Sequence, residues 1–107
     1  MRSANILFKN EEAGVLTQHD DGTFTYRYND NWITNDSKPS ISLTLPKSQQ
    51  TYHSTFMFPF FYNMLPEGSN KGIVCRMMRI DENDYFSLLI TTAKYDTIGA
   101  VRVMKIQ

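Results

Sequence analysis

One cysteine and two histidines are the side chains most suited to metal or nucleophilic chemistry, and their arrangement argues against both. Cys75, His19 and His53 lie far apart along the chain and show no paired ligand spacing. A structural zinc site needs several nitrogen or sulfur ligands at short spacings, so we expect no metal site and place both histidines in solvated loops. Cys75 follows Val74 inside a predicted helix, whereas a reactive thiol needs an accessible, electropositive setting. We therefore predict that Cys75 is a buried structural residue.

The sequence motifs of other catalytic classes are also missing. The acidic pairs Glu11-Glu12, Asp20-Asp21 and Asp81-Glu82 lie at predicted turns or helix starts, where carboxylates are typically solvated or cap the helix. No serine stands in a Gly-x-Ser-x-Gly motif, and the glycine-rich phosphate-binding fingerprints and the kinase motifs do not occur. The sequence predicts a protein that is not an enzyme and has no cofactor.

The composition favours one small domain without direct contact to membranes or nucleic acids. The chain has 107 residues, the size of one ordinary domain, so we expect a single domain over residues 1–107. Its 11 basic and 11 acidic residues balance, whereas nucleic-acid binders usually carry a basic excess. No apolar run approaches the length of a membrane span, and the N-terminus lacks the apolar core of a signal peptide. These features predict a cytoplasmic chain.

The first half of the sequence has the two-residue alternation of half-buried strands. Four strands are predicted, and they cover Asn5–Lys9, Val15–Thr17, Phe24–Tyr28 and Ile41–Leu45. Asp20-Asp21-Gly22 is a turn signal between the second and third strands. Asn29–Pro39 and Lys47–His53 are rich in polar residues and are predicted to be loops, with Trp32 folding back to plug one end of the sheet. The pattern indicates an antiparallel sheet built mainly from hairpins.

The second half changes to a helical period and then closes with a strand. The three predicted helices have apolar stripes made of Phe56, Phe60, Phe61 and Met64; of Ile73, Val74, Met77 and Met78; and of Phe86, Leu89, Ile90 and Ala93. Gly68 should end the first helix, Ser69 or Asn70 should cap the second, and Asp81, Asn83 or Asp84 the third. Ala100–Ile106 should be the closing strand, with Val101 and Val103 on one face. The predicted class is therefore α+β, with a small, mostly antiparallel sheet and about three helices.

The segment Phe56–Pro66 is apolar on almost every side. A helix that is apolar all round must be covered all round, and a domain of this size covers little more than one face. Exposed apolar patches usually mark interaction sites, so this segment predicts binding to another protein.

The same segment carries a resemblance to a known family. The run Phe60–Gly68, FFYNMLPEG, resembles the "FF-x-N-L-L-P-E-G" motif in the N-terminal subdomain of HipA-type serine/threonine kinases. Four further matches follow the family order, at Phe24–Tyr28 (F-x-Y), Ser40–Pro46 (P-L-S-L-S-L-P), Tyr85–Leu89 (F-x-L-L) and Asp96–Val101 (D-x-I/V-G-A-V). The resemblance spans nearly the whole chain, and Thr91–Tyr95 departs from the family pattern.

The resemblance implies a partner. HipA-type toxins carry this subdomain fused to a kinase core, but here the chain ends at Gln107, directly after the closing strand. That arrangement is similar to the stand-alone HipS proteins of three-component HipB–HipS–HipT systems. It implies a type II antitoxin that inhibits a HipT-like serine/threonine kinase toxin, in a complex with a HipB-like helix-turn-helix protein that makes any contact to DNA.

Two alternatives stay open at this point. The chain could be an activating or structural subunit that completes the kinase fold, because inhibitor and activator would use the same surface. A small nucleic-acid module, with Tyr26, Arg27 and Tyr28 on the sheet stacking on bases, is the other alternative. For the antitoxin, the expected partner-binding residues are Phe58, Phe60, Phe61, Met64, Leu65, Pro66, Glu67 and Gly68. The competing interpretation is that Phe60 and Phe61 belong to the core and only the following loop is exposed.

Overall fold

The computed structural model describes residues 1–65, 68–92 and 101–106. Within these residues, one five-stranded antiparallel sheet is accompanied by four helices. The strands are β1 Arg2–Phe8, β2 Glu11–Gln18, β3 Phe24–Tyr28, β4 Thr51–Ser54 and β5 Val101–Lys105. The helices are α1 Asp30–Ile33, α2 Pro59–Tyr62, α3 Gly68–Met78 and α4 Tyr85–Thr92. The predicted α+β class is confirmed, including three helices in the second half.

The sheet has the strand order β4-β3-β2-β1-β5. Its first three strands form two consecutive hairpins. Lys9 and Asn10, with φ angles of 49° and 67°, form the first turn, because a tight hairpin favours two residues with positive φ. Gly22, with φ 87°, lies in the second turn. β5 returns to pair with β1, which confirms the closing strand and makes it an edge of the sheet.

Alternate residues of the strands bury one face of the sheet. Phe24, Tyr26 and Tyr28 are buried, while Thr25 is half-buried and Arg27 is exposed, as the alternation predicts. Rows of paired residues continue this face across the sheet, and one row joins Val103, Ile6, Gly14 and Tyr28. Cross-strand neighbours on one face are the unit that stabilises a sheet. The prediction that Val101 and Val103 lie on one face is also confirmed, and both are buried.

Helices and loops cover this buried face. Phe61 of α2 packs against Tyr26, with 5.8 Å between the ring centroids, and Phe86, Leu88 and Leu89 of α4 are fully or almost fully buried. Trp32 in α1 packs edge-on against Phe8 at 5.9 Å and donates a hydrogen bond of 2.8 Å to the Pro39 carbonyl. Trp32 therefore folds back onto the sheet as predicted.

The predicted fourth strand, Ile41–Leu45, is wrong. This segment forms bends and turns, in which Ile41 and Leu45 are buried but Leu43 is 99% exposed. Serine hydroxyls replace the hydrogen bonds of a strand ladder: Thr44 N–H donates to Ser42 Oγ at 3.1 Å, and Lys47 N–H donates to Ser40 Oγ at 2.9 Å. Such local bonds compete with regular secondary structure.

The fourth strand begins within the predicted polar loop Lys47–His53 and ends one residue beyond it. β4, Thr51–Ser54, pairs with β3 at the other edge of the sheet and places Tyr52 opposite Tyr26. An edge strand pairs on one side only, so a short polar sequence is sufficient there.

Two helix predictions also need correction. α2 is a single turn, Pro59–Tyr62. Proline is suited to the first position of a helix, so Pro59 fixes the start of α2 and leaves Phe56, which was predicted as part of the helical stripe, outside the helix. Gly68 does not end that helix; it begins α3, and Ser69 and Asn70 follow it within the helix. The predicted apolar face of α3 points largely to solvent, and its buried residue is instead Cys75. Ala93, Gly99 and Ala100 lie outside the described residues.

We expect Gly14→Ala to destabilise the fold strongly. A Cβ atom at Gly14 would lie 2.4 Å from the Arg27 carbonyl oxygen and 2.5 Å from the Tyr26 hydroxyl. The backbone carbonyl cannot move without breaking the sheet, so we expect a loss of at least about 2 kcal/mol in the free energy of unfolding, measured by urea denaturation. Gly72→Ala is the control: its nearest neighbour is 3.8 Å away, and alanine should stabilise the helix by about 0.5–1 kcal/mol. An unchanged Gly14→Ala midpoint would contradict the predicted clash.

The hydroxyls of Tyr28 and Tyr26 should have opposite effects on stability. The Tyr28 hydroxyl donates to the Leu45 carbonyl and accepts from Ile41 N–H at 3.1 Å, and both contacts are buried. Tyr28→Phe leaves these backbone groups unpaired and should cost about 1–3 kcal/mol. The Tyr26 hydroxyl is buried and has no hydrogen-bond partner among the described residues, so Tyr26→Phe should be neutral or stabilising. Equal losses in both variants, measured by urea denaturation, would contradict this difference.

Candidate protein-binding surface

The Phe-rich segment, which begins at Phe56, is held to the core by its buried residues Phe58 and Phe61. Phe58 precedes α2, and Tyr62 N–H and Asn63 N–H close the single turn with bonds of 2.9 Å to Phe58 and Pro59 carbonyls. Phe61 lies between Tyr26, Phe58 and Phe60, with ring centroids 5.8, 6.3 and 5.2 Å away. The contacts with Phe58 and Phe60 are edge-on and that with Tyr26 is tilted, and together they anchor the segment, because such aromatic pairs stabilise beyond the area they bury.

The structure divides the expected partner-binding residues into three groups. The first group is buried within the chain itself and forms part of its core: Phe58, Phe61 and Leu65. For Phe61 this agrees with the competing interpretation that the residue belongs to the core. Phe60 and Met64 are half-buried and pack against the core with one side only. Gly68 begins α3, while Pro66 and Glu67 lie outside the described residues. Contact of Phe60 and Met64 with a partner stays a prediction.

The exposed aromatic surface of this segment comes from two residues that were not among the expected contacts. Phe56 is 78% exposed and Tyr62 is 48% exposed. Both line a groove of about 390 Å³ beside the start of β3. The groove is also lined by Gln18, Gly22, Phe24, Thr55, Met57, Asn83 and Tyr85. We refer to this groove and its lining residues as the aromatic groove.

Tyr62 and Tyr85 together form one wall of the aromatic groove. Their rings meet edge-on, with centroids 5.5 Å apart and an interplanar angle of 85°. The Lys71 ammonium of α3 lies 5.2 Å from the Tyr85 ring centroid, a distance at which a cation is attracted to an aromatic face. The wall therefore joins α2, α3 and α4.

The sequence signal for Phe56 and Tyr62 was the all-round apolar segment, but periodicity alone could not tell which of its rings are exposed.

Asp84 fixes the start of α4, and with it the position of Tyr85. Ser87 N–H donates to Asp84 Oδ1 at 3.2 Å, and Ser87 Oγ donates to Oδ2 at 2.7 Å, so Asp84 is the cap among the three predicted candidates. Arg2 Nη2 donates to Asp84 Oδ1 at 2.7 Å, and its guanidinium lies 4.9 Å from the Phe86 ring centroid. Partial burial raises the pKa of Asp84, but hydrogen bonds from Arg2 and Ser87 outweigh it, so that the pKa is lowered overall.

The groups considered for chemistry form no reactive arrangement in the part of the chain that the structure describes. Cys75 is buried, as predicted. His19 and His53 are bridged by the Thr25 hydroxyl, with Nε2–Oγ1 and Nδ1–Oγ1 distances of 2.7 and 2.9 Å. No group of three potential metal ligands occurs among residues 1–65, 68–92 and 101–106.

The stacking residues of the nucleic-acid alternative are not available. Tyr26 and Tyr28 are completely buried in the core. Burial also raises the pKa of both phenols above the ordinary value for tyrosine. Since base stacking needs an exposed ring, the expectation that these tyrosines stack on bases is wrong.

Membrane insertion finds no support in the described helices. None of them is both long enough and apolar enough to cross a bilayer.

Comparison with known proteins identifies the family. The family model described as the HipA N-terminal domain matches residues 4–104 of this chain. The chain therefore belongs to the HipA N-terminal domain family. A solved structure of the N-terminal domain of HipA toxin superimposes with a TM-score of 0.72 at 25% identity, covering 100% of this chain and 94% of that chain.

Two curated relatives differ in length. An uncharacterised protein of Haemophilus influenzae is 30% identical over 105 residues, which cover 98% of this chain and 93% of the relative. The provisionally named kinase Y4mE of Sinorhizobium fredii is 24% identical over 104 residues, which cover 97% of this chain but only 24% of that protein. The similarity supports a HipA-related toxin–antitoxin component that resembles the HipA N-terminal subdomain and not the kinase catalytic domain.

The charge of Asp84 should make the stability of the domain sensitive to acid. Its pKa is lowered in the folded state, so its stabilising contribution is present above the pKa of the unfolded chain, about 3.9, and is lost as the pH falls through the folded pKa. Asp84→Asn removes that charge. We expect the free energy of unfolding at pH 7 to fall by about 0.5–1.5 kcal/mol and its decline below about pH 4 to become shallower. Urea denaturation from pH 2.5 to 7 provides the measurement, and parallel pH profiles for both proteins would contradict the assignment.

Proposed function

We propose that this protein is an antitoxin that binds and inhibits a separate HipA-like serine/threonine kinase toxin of the HipT type. Membership of the HipA N-terminal domain family supports the kinase context of the partner. The full-length similarity to the N-terminal domain of HipA toxin supports a domain built to contact such a kinase. The sequence itself carries none of the kinase motifs, which supports a role exerted by binding.

The single observation that carries this proposal is the exposed aromatic surface of the Phe-rich segment. The Phe56 ring extends into solvent although phenylalanine is normally buried, and Tyr62 exposes about half of its surface beside it. Exposed aromatic clusters mark protein interfaces, and tyrosine combines apolar area with a hydroxyl that can remain hydrated. Phe58 and Phe61 anchor the α2 turn in the core, so the turn presents Tyr62 at little entropic cost, and Phe56 stands two residues before the anchored Phe58.

The proposed mechanism is steric. Kinases close their active-site cleft to position ATP phosphates and metal ions. With the aromatic groove docked near this cleft, the α2 turn and the chain that follows it, Phe58–Gly68, would hinder closure and suppress phosphoryl transfer. Phe60 and Met64 would add contacts with their exposed sides. A HipB-like helix-turn-helix protein would complete a ternary complex and provide its only contact to DNA.

A second candidate, an activating or structural subunit, uses the same surface. The observation in its favour is the match to Y4mE, where a segment similar to this chain makes up 24% of a protein provisionally named as a kinase. A domain of that kind could complete a kinase fold when supplied separately. Phosphorylation by the purified kinase with and without this chain separates the two: the antitoxin decreases the rate, and the activating subunit increases it.

Phe56→Asp should abolish protection against the kinase without unfolding the chain. The ring is 78% exposed, so its loss should leave the core intact, whereas a carboxylate in a desolvated contact should weaken binding at least about tenfold. The assay is co-expression with a HipA-like kinase of the HipT type: wild type should restore growth, and Phe56→Asp should not. Affinity is measured in parallel on the purified proteins.

Leu43→Asp is the matched control for this variant. Leu43 is 99% exposed and lies in the loop between β3 and β4, outside the aromatic groove. This variant should restore growth as well as the wild type. The proposal fails if the wild-type chain neither forms a complex on a sizing column nor reduces the toxicity of the kinase.

A further inference from the structure

The aromatic groove contains one side-chain amide whose orientation the fold determines. Gln18 ends β2 and lines the groove. Its Oε1 accepts hydrogen bonds from two nitrogens of the Arg2 guanidinium, from Nε at 3.0 Å and from Nη2. A guanidinium can only donate hydrogen bonds, so the amide oxygen must face Arg2 and the Nε2 amino group must point away from it. No hydrogen bond within the described residues uses that amino group.

Arg2 is in turn held at the start of α4. Its guanidinium donates to Asp84 Oδ1 and to Ser87 Oγ, both at 2.7 Å, and lies 4.9 Å from the Phe86 ring centroid. The planar fork of an arginine is pre-organised, so it loses little freedom for each hydrogen bond it makes. The orientation of the Gln18 amide is therefore set before a partner binds, which lowers the entropic cost of a hydrogen bond to it.

The lining of the groove indicates which side chain it can take. None of the lining residues is charged, and the aromatic surface comes from Phe24, Phe56, Tyr62 and Tyr85. A charged side chain placed there would lose hydration without gaining a counter-charge from the lining, whereas an apolar side chain gains burial against the rings. With about 390 Å³, the groove is near the lower end of the range for ligand pockets, roughly 300–1,000 Å³, so it suits one anchoring side chain and its backbone.

The polar groups of the groove indicate what must accompany that side chain. Asn83 and Thr55 are exposed, and neither side chain makes a hydrogen bond within the described residues, so both can adapt to a partner. Gln18 is different, because Arg2 fixes its amide and leaves only N–H donors toward the groove. The complement of a donor is an oxygen, and every peptide segment carries a carbonyl oxygen next to each side chain.

We propose that the aromatic groove binds a segment of the HipA-like kinase that inserts one uncharged, apolar side chain, and that Gln18 Nε2 donates a hydrogen bond to a backbone carbonyl of this segment. The inference rests on the proposed function and adds the chemistry of the segment that the groove takes. Apolar burial is non-directional, whereas a hydrogen bond needs a defined distance and angle. Gln18 therefore determines the register in which the segment lies.

Gln18→Glu separates the donor from the fold. The carboxylate still accepts from Arg2, so the urea midpoint should stay unchanged or rise, but the groove loses its donor and presents an acceptor to the carbonyl. We expect the affinity of the purified chain for a HipA-like kinase of the HipT type to fall at least about tenfold. Asn31→Asp makes the same change at an exposed position of α1 outside the groove, and it should bind as wild type.

The sign of the change in affinity identifies the occupant. If the groove held an arginine or lysine side chain, Gln18→Glu would supply the missing counter-charge and strengthen binding, which would overturn the proposed chemistry. Unchanged affinity, with a wild-type complex present, would overturn this inference alone. Absence of a wild-type complex would overturn the proposed function as well.

The side-chain amide also gives a readout in the wild-type complex. Gln18→Glu removes one pair of amide signals from the nitrogen-correlated proton NMR spectrum of the free chain and thereby assigns Gln18. In the wild-type complex, exchange of this pair with solvent should slow at least about fivefold, while the Asn31 pair should exchange as in the free chain. Equal exchange of the Gln18 pair in the free and bound chain would contradict the hydrogen bond, even if Gln18→Glu weakened binding.

Discussion

The close approach of Tyr26 to the backbone of Gly14 is the constraint on which the rest of the structure depends. The Tyr26 ring lies across the neighbouring strand, in the space that a side chain at position 14 would occupy. It can lie there only because Gly14 has no Cβ atom. From that position the ring meets Tyr28 at 4.9 Å and Phe61 at 5.8 Å. In the first contact, Tyr26 packs against Tyr28, whose hydroxyl holds a loop by hydrogen bonds. In the second contact, Tyr26 packs against Phe61 and so holds α2. A glycine in β2 therefore determines where the Phe-rich segment sits.

β1, β2, β3, β5 and α4 could be predicted because the apolar patterns of these segments reflect burial directly. β3 alternates perfectly, since every second side chain enters one core. The region between β3 and α2 could not be predicted in the same way. Ile41, Leu43 and Leu45 alternate in sequence, but a tyrosine hydroxyl and two serine hydroxyls satisfy the backbone there, and these tertiary and local bonds favour turns over a ladder. β4 was missed because an edge strand needs no apolar pattern.

The candidate surface could be located in the sequence but not resolved into individual contacts. A segment that is apolar on every side leaves some of its side chains uncovered in a domain of this size. Its sequence does not indicate which side chains these are. Two residues determine which side chains of the segment stay exposed. Pro59 starts α2 late and leaves Phe56 outside the helix, and Tyr26 packs against Phe61 and holds it in the core. For α3, the pattern of four apolar residues suggested a core stripe, but nothing in the pattern distinguishes a face that packs within the chain from one that packs on another protein.

The division between buried and exposed aromatic residues separates folding from recognition. Phe58, Phe61 and Leu65 contribute to stability, so natural variation there would change the amount of folded protein before it changed binding. The Lys71 ammonium lies over the Tyr85 ring, so α3 supports one wall of the aromatic groove. Phe56 and Tyr62 contribute little to the core, and their apolar surface is a cost in water that a monomer gains nothing by keeping.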